Sequence, residues 1–139
     1  MAVPNELSGA RERPVVVVVE DDPGYLKALV RMIAREGLDV EVVETMTGMD
    51  GLIEIGRVSP DLVILDYALP DLNAVQVVER LVDTSKRLTA LVMIVTGGLP
   101  VSAENMLRQL GVRAIVNKVD GMGVVIEAMR RALQSRKVA

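Results

Sequence analysis

The chain has 139 residues, 50% hydrophobic and 25% charged, which at roughly 150 residues per domain makes one globular unit. With no cysteine and no histidine it has no disulfide, thiol nucleophile or thiolate metal site, and no Ser-His catalysis, histidine-bound zinc or HExxH protease centre. Two tyrosines are too few for a base-stacking platform, and 16 basic against 19 acidic residues give a net charge of −3, unsuited to nucleic acid or an anionic membrane.

Met1 to Arg13 carries Pro4, Asn5, Ser8 and Gly9 and no apolar stretch of a signal peptide, so it reads as a loose leader to a cytoplasmic domain over 14–135, with 136–139 as a tail. No apolar tract approaches the roughly 20 residues of a membrane span. Five tracts are read as strands: Val15 to Val19, Val40 to Val43, Leu62 to Leu65, Leu91 to Val95 and Val112 to Val116. The first, third and fourth are continuous aliphatic runs, as in a parallel sheet covered on both faces, and the mixed second tract suits an edge.

Helices fill the intervals. The first starts at an Asp22 N-cap with Pro23 at N1, buries Leu26, Leu29, Val30 and Ile33, and closes at Gly37. The second spans about Thr47 to Val58 and stops before Ser59-Pro60. A third, about Asn73 to Thr84, buries Val75, Val78, Leu81 and Val82; a fourth follows Pro100 with Ser102 as N-cap and ends at Gly111. The last, Gly121 to Ser135, turns Val125, Ile126, Met129 and Leu133 inward. The expected fold is therefore α/β, a flavodoxin-like (βα)5 doubly wound parallel sheet in strand order 2-1-3-4-5.

Ligands of such sheets sit beyond the carboxyl ends of the strands. There the sequence places Glu20-Asp21-Asp22 after the first strand, Asp66 after the third, Thr96 with Gly97-Gly98 after the fourth, and Asn117-Lys118 after the fifth. Gathered carboxylates repel unless a cation sits among them, and an all-oxygen donor set selects Mg²⁺ or Mn²⁺. Acids, a hard cation, one lysine and one hydroxyl suit phosphoryl transfer, with Asp66 as the nucleophile at the end of a central strand. Asp22 reads as a helix cap, not as part of this set.

These residues resemble the receiver domain of two-component response regulators over about Pro14 to Leu133: Glu20-Asp21-Asp22-Pro23, Leu65-Asp66-Tyr-Ala-Leu-Pro70, Val95-Thr96-Gly97 and Asn117-Lys118. The resemblance implies that Asp66 is the phosphoacceptor and that Glu20, Asp21, Asp66 and the Ala68 carbonyl hold Mg²⁺. It also implies that Thr96 hydrogen-bonds the phosphoryl group and Lys118 pairs with its oxygens. A histidine kinase or histidine phosphotransferase would be the donor, and a downstream protein the target; the chain would not be a conventional turnover enzyme. The family's usual aromatic three residues before the lysine is Ile115 here, its usual proline after the lysine is Val119, and its usual glycine eight residues after the phosphoacceptor is Ala74. The phosphorylation apparatus thus reads as intact and the signal-transmission parts as altered. Ala68 and Gly98, at positions that tune phosphoryl lifetime in the family, carry no side chain able to position water, so slow self-dephosphorylation is expected.

Two rivals stand beside this reading. One is a phosphorylation-independent pseudo-receiver serving as an interaction module. The other is a haloacid-dehalogenase-type phosphohydrolase, disfavoured because its Asp-x-Asp spacing is missing. Gly121-Met122-Gly123 lacks the third glycine of a dinucleotide loop, and Arg130, Arg131, Arg136 and Lys137 suit a helix C-terminus. Met106, Met122 and Met129 on the last two helices suggest an adaptable partner surface, and the last strand with its flanking helices offers an edge for a homodimer.

Overall fold

The structure, a computed structural model, describes residues 13–85 and 87–138, with side chains through Ser135. The leader read over 1–13 lies outside the described residues except for Arg13. Ten elements alternate: β1 Val15–Val19, α1 Pro23–Arg35, β2 Glu41–Thr45, α2 Gly48–Val58, β3 Leu62–Leu65, α3 Ala74–Glu79, β4 Val92–Thr96, α4 Val101–Gln109, β5 Ala114–Asn117 and α5 Met122–Val138. The sheet is parallel throughout, in the order β2-β1-β3-β4-β5 expected from the sequence.

Alternation along each central strand divides the core in two. Val17 and Val19 of β1, Val63 and Leu65 of β3 and Val92 and Ile94 of β4 pack under α2, α3 and α4. Val16 and Val18, Leu62 and Ile64, and Met93 and Val95 face α1 and α5, where Leu26, Leu29, Ile33, Val125 and Met129 meet them. All five β1 valines are buried, worth about 1.5 kcal/mol or more apiece, so β1 is the spine of the domain. Helix α2 comes closest to β1 at Gly51, where a Cβ would lie 2.7 Å from Val19 Cγ2.

The expected punctuation holds at α1, where the Asp22 carboxylate accepts from the Gly24 and Tyr25 amides, Pro23 opens the helix and Gly37 follows with φ of 72°. Val30 is only half-buried. Helix α3 is shorter than expected, ending at Glu79 instead of about Thr84. Arg80 and Leu81 donate to carbonyls three residues back, and the Asp83 carboxylate collects the Ser85 amide and hydroxyl and the Arg87 amide. A short aspartate that bonds nearby backbone competes with helix, and here it turns the chain so that Val82, half-buried, bridges antiparallel to Leu88. Ser102 is not the cap of α4; Pro100 holds that position without a side-chain bond. Strand β5 begins at Ala114, not Val112, although Val112 is buried. Among the described residues no helix is long and apolar enough to cross a membrane.

The chain leaves β5 through a 3₁₀ turn, Lys118–Asp120, capped by Asn117, whose side chain accepts from the Val119 amide. The described residues contain no cis peptide bond, so the Lys118–Val119 peptide is trans. Ala74 lies in the first turn of α3 with helical geometry, fully buried, and no left-handed residue is needed there.

Candidate functional site

Register decides which side chains meet. Val19 pairs with Leu65, so Glu20 and Asp66 leave β1 and β3 side by side. Thr96 and Asn117 pair across β4 and β5, which delivers Lys118 to the same edge of the sheet. Carboxylate oxygens of Glu20, Asp21 and Asp66 lie within 4.8 Å of one another, Glu20 and Asp66 buried and Asp21 exposed. The Lys118 ammonium donates to Glu20 Oε1 at 2.5 Å and to Asp66 Oδ2 at 3.3 Å. The remaining oxygens are aimed by backbone: the Asp22 amide donates to Glu20 Oε2 at 3.1 Å, and the Tyr67 amide to Asp66 Oδ1 at 2.7 Å.

Burial pushes the Glu20 carboxyl up to about 7, against the lowering effect of the Lys118 and Asp22 hydrogen bonds and with the Asp66 charge adding to the rise. Burial alone would lower Lys118, yet the Glu20 hydrogen bond and the Asp66 charge outweigh it and hold the ammonium above its usual range. Burial dominates the Glu20 shift, and the neighbouring Asp66 charge is a smaller contribution in the same direction. The donor set, three carboxylates converging at one point with no nitrogen or sulfur ligand, fits a hard divalent cation.

The other expected residues are less closely joined. Thr96 is buried at the end of β4, and its hydroxyl donates to the Gly98 carbonyl at 3.1 Å and accepts from the Gly98 amide at 3.4 Å, bonds within its own loop. Ala68 lies in the loop after Asp66, bridged to Asn73 and flanked by backbone bonds from Leu69 to Leu72 and from Ala74 to Tyr67. Met129 is wholly buried and so drops out of the suggested methionine surface, whereas Met106 is exposed and Met122 half-buried. Arg130 donates to the Glu36 carbonyl that ends α1, so this member of the basic tail serves a neighbouring helix terminus.

Two participants escaped the sequence reading. Tyr25 places its ring under Lys118, with Nζ 4.3 Å from the ring centroid. Asp71, in the loop after Asp66, accepts from the Gly48 and Met49 amides at 2.8 and 2.9 Å, which holds its carboxyl below the usual range and caps α2 from outside. A polar loop residue ahead of an Asn-capped helix was the available signal for Asp71. For Tyr25 there was none, because its partner is remote in sequence.

Comparison with known proteins shows the family. The family model described as the response regulator receiver domain matches residues 16–134. The regulator BvgA of Bordetella pertussis is 30% identical over 118 residues, 85% of this chain and 55% of BvgA. A protein-glutamate methylesterase/protein-glutamine glutaminase of Nitrobacter hamburgensis is 29% identical over 92 residues, 66% of this chain and 24% of that protein. The chain thus spans about a quarter to about half the length of these relatives. Among solved structures, a LuxR-family DNA-binding response regulator from Staphylococcus aureus superposes with a TM-score of 0.76 at 25% identity, covering 86% of this chain and 98% of that one. A CheY-like receiver domain from Methanospirillum hungatei shares the fold, with a TM-score of 0.80 at 21% identity over 91% of this chain and 98% of that one.

Proposed function

The chain belongs to the response regulator receiver domain family of two-component signalling, and from that membership we propose that Asp66 accepts a phosphoryl group from a phosphohistidine of a histidine kinase or phosphotransferase. The observation that carries this reading is the convergence of Glu20, Asp21 and Asp66 with Lys118 at one sheet edge. In the proposed step an Asp66 carboxylate oxygen forms a bond to phosphorus as the phosphorus–nitrogen bond breaks. The imidazole nitrogen leaves with the electron pair, and the product is an acyl phosphate.

Glu20, Asp21, Asp66 and the Ala68 carbonyl would hold Mg²⁺, with Mn²⁺ as a substitute, which supplies charge neutralisation for the phosphoryl oxygens when bound. Lys118 already lies 3.3 Å from Asp66 Oδ2 and needs little movement to pair with a phosphoryl oxygen. The Tyr67 amide fixes Oδ1 and leaves the Lys118-facing oxygen as the attacking atom. Thr96 would exchange its bond to Gly98 for one to the phosphoryl group. Phosphorylation then alters the affinity for a protein target in the cytoplasm.

The test is the binding of beryllofluoride, a stable mimic of a phosphoryl group on a carboxylate, followed by fluorine NMR in the presence of Mg²⁺. Bound resonances that require both Mg²⁺ and Asp66 support the reading, and their absence in the wild-type chain rejects it. Because Ala68 and Gly98 carry no side chain able to position water, self-dephosphorylation should be slow, and a lifetime of seconds would contradict that expectation.

The second reading is a phosphorylation-independent interaction module. Lys118 already bridges both buried acids and the Thr96 hydroxyl is satisfied by its own loop, so both groups are engaged without a ligand. Equal partner binding by wild-type and Asp66→Asn chains, with no Mg²⁺ affinity in the wild type, would select it.

A further inference from the structure

Lys118 is held from two sides. Above, it meets the two buried carboxylates; below, its ammonium rests on the face of Tyr25, 4.3 Å from the ring centroid. The Tyr25 hydroxyl is buried with no hydrogen-bond partner among the described residues, so it is the ring, not the hydroxyl, that the site uses. Only two of the 139 residues are aromatic, and this one lies directly beneath the site's single ammonium.

A cation between two carboxylates needs no ring to attract it. The need arises when a divalent cation enters among Glu20, Asp21 and Asp66. Glu20 would then turn to the bound cation, and the ammonium that occupies the same acids would be repelled. The Lys118 side chain is 20% exposed on a flexible four-carbon stem, so solvent is within reach. An aromatic face attracts a cation without occupying a carboxylate oxygen, and can therefore hold the ammonium while the metal holds the acids.

We propose that Tyr25 is a positioning residue whose ring keeps the Lys118 ammonium beside Asp66 when a divalent cation displaces it from Glu20. This rests on the phosphoryl-site reading above and adds a residue to it. The consequence has two opposite signs. Without the ring Lys118 departs more readily, so the acids lose a competitor and bind Mg²⁺ more tightly, while Asp66 loses its ammonium and is phosphorylated more slowly. General damage to the fold would weaken both.

The experiment compares the wild-type chain with Tyr25→Phe, Tyr25→Leu and Tyr25→Met. The readouts are the ring-current shift of the Lys118 side-chain protons in metal-free protein, the Mg²⁺ dissociation constant by NMR titration, and the initial rate of phosphorylation by acetyl phosphate. Tyr25→Phe should stay within about twofold of wild type throughout. The leucine and methionine variants should lose the shift, bind Mg²⁺ about two- to fivefold more tightly, and react about fivefold more slowly, the scale of one cation–π contact. Unchanged shift and rate in the two aliphatic variants, or a joint weakening of metal binding and rate, would overturn the proposal. A wild-type chain that takes no phosphoryl group would defeat the reading of the site; the shift and the Mg²⁺ affinity would still decide the role of Tyr25.

Discussion

The seam between β1 and β3 and the seam between β4 and β5 deliver polar groups to the same edge, but they hold them differently. At the first, Glu20 and Asp66 are buried side by side and locked through Lys118, which comes from the far end of the chain. At the second, Thr96 bonds Gly98 and Asn117 bonds Val119, each within two residues of itself, and Val119 stands 83% exposed. A local hydrogen bond contributes roughly 0.5 to 1.5 kcal/mol net, whereas removing one partner of a buried ion pair costs roughly 3 to 5 kcal/mol. The acid corner, with Lys118 from the end of β5 tied into it, is therefore the fixed part of the site, and the local Thr96 and Asn117 turns are where rearrangement is cheap.

The largest expected effect comes from breaking the fixed corner. Lys118→Met leaves Glu20 and Asp66 facing each other, with side chains 4% and 10% exposed. It should lower stability by about 3 kcal/mol at pH 8 and by clearly less at pH 5.5, where Glu20 takes up a proton. Urea unfolding at the two pH values measures this, and an unchanged midpoint at pH 8 would erase the contrast between the seams.

A second effect follows from the burial of Glu20. Glu20 titrates at about 7 in the folded chain against 4.5 for the free side chain, so the folded state binds the extra proton between those values. Its contribution to stability is fully present below about 4.5 and is lost as pH rises through about 7, on the order of 3 kcal/mol across the window. Metal-free wild-type protein should lose stability over that range, and Glu20→Gln should flatten the curve. Mg²⁺ affinity should rise over the same interval as the proton leaves, which calorimetric titration at pH 6 and pH 8 would measure.

Thr96→Val probes the other seam. Because only the bonds to Gly98 are lost, stability should fall by about 1 kcal/mol and Mg²⁺ affinity should stay within about twofold. A drop in Mg²⁺ affinity comparable to that of Glu20→Gln would show that the two seams are not separable.

Much of this is legible in the sequence. Val15–Val19 and Leu62–Leu65 are so uniformly aliphatic that only two-sided burial explains them, and once the strands are aligned, the residue after each one is a site residue. What escaped depended on competition or distance. The end of α3 is decided by Asp83 gathering the Ser85 and Arg87 amides, an outcome that helical spacing of Leu81 and Val82 does not reveal. Ser102 has the right side chain for a cap, but Pro100 already sets the extended backbone where α4 begins. Tyr25 carries no signal in the sequence, because its contact with Lys118 exists only after the sheet has brought β1 and β5 to a common edge.

Intact-mass spectrometry after incubation with Mg²⁺ and acetyl phosphate, run beside Asp66→Ala, tests the central claim most directly. A single phosphoryl adduct on the wild-type chain, absent from the variant and absent without Mg²⁺, is the expected result. An adduct that survives in Asp66→Ala, or no adduct on a wild-type chain that binds Mg²⁺, would contradict the assignment of Asp66 as the phosphoacceptor.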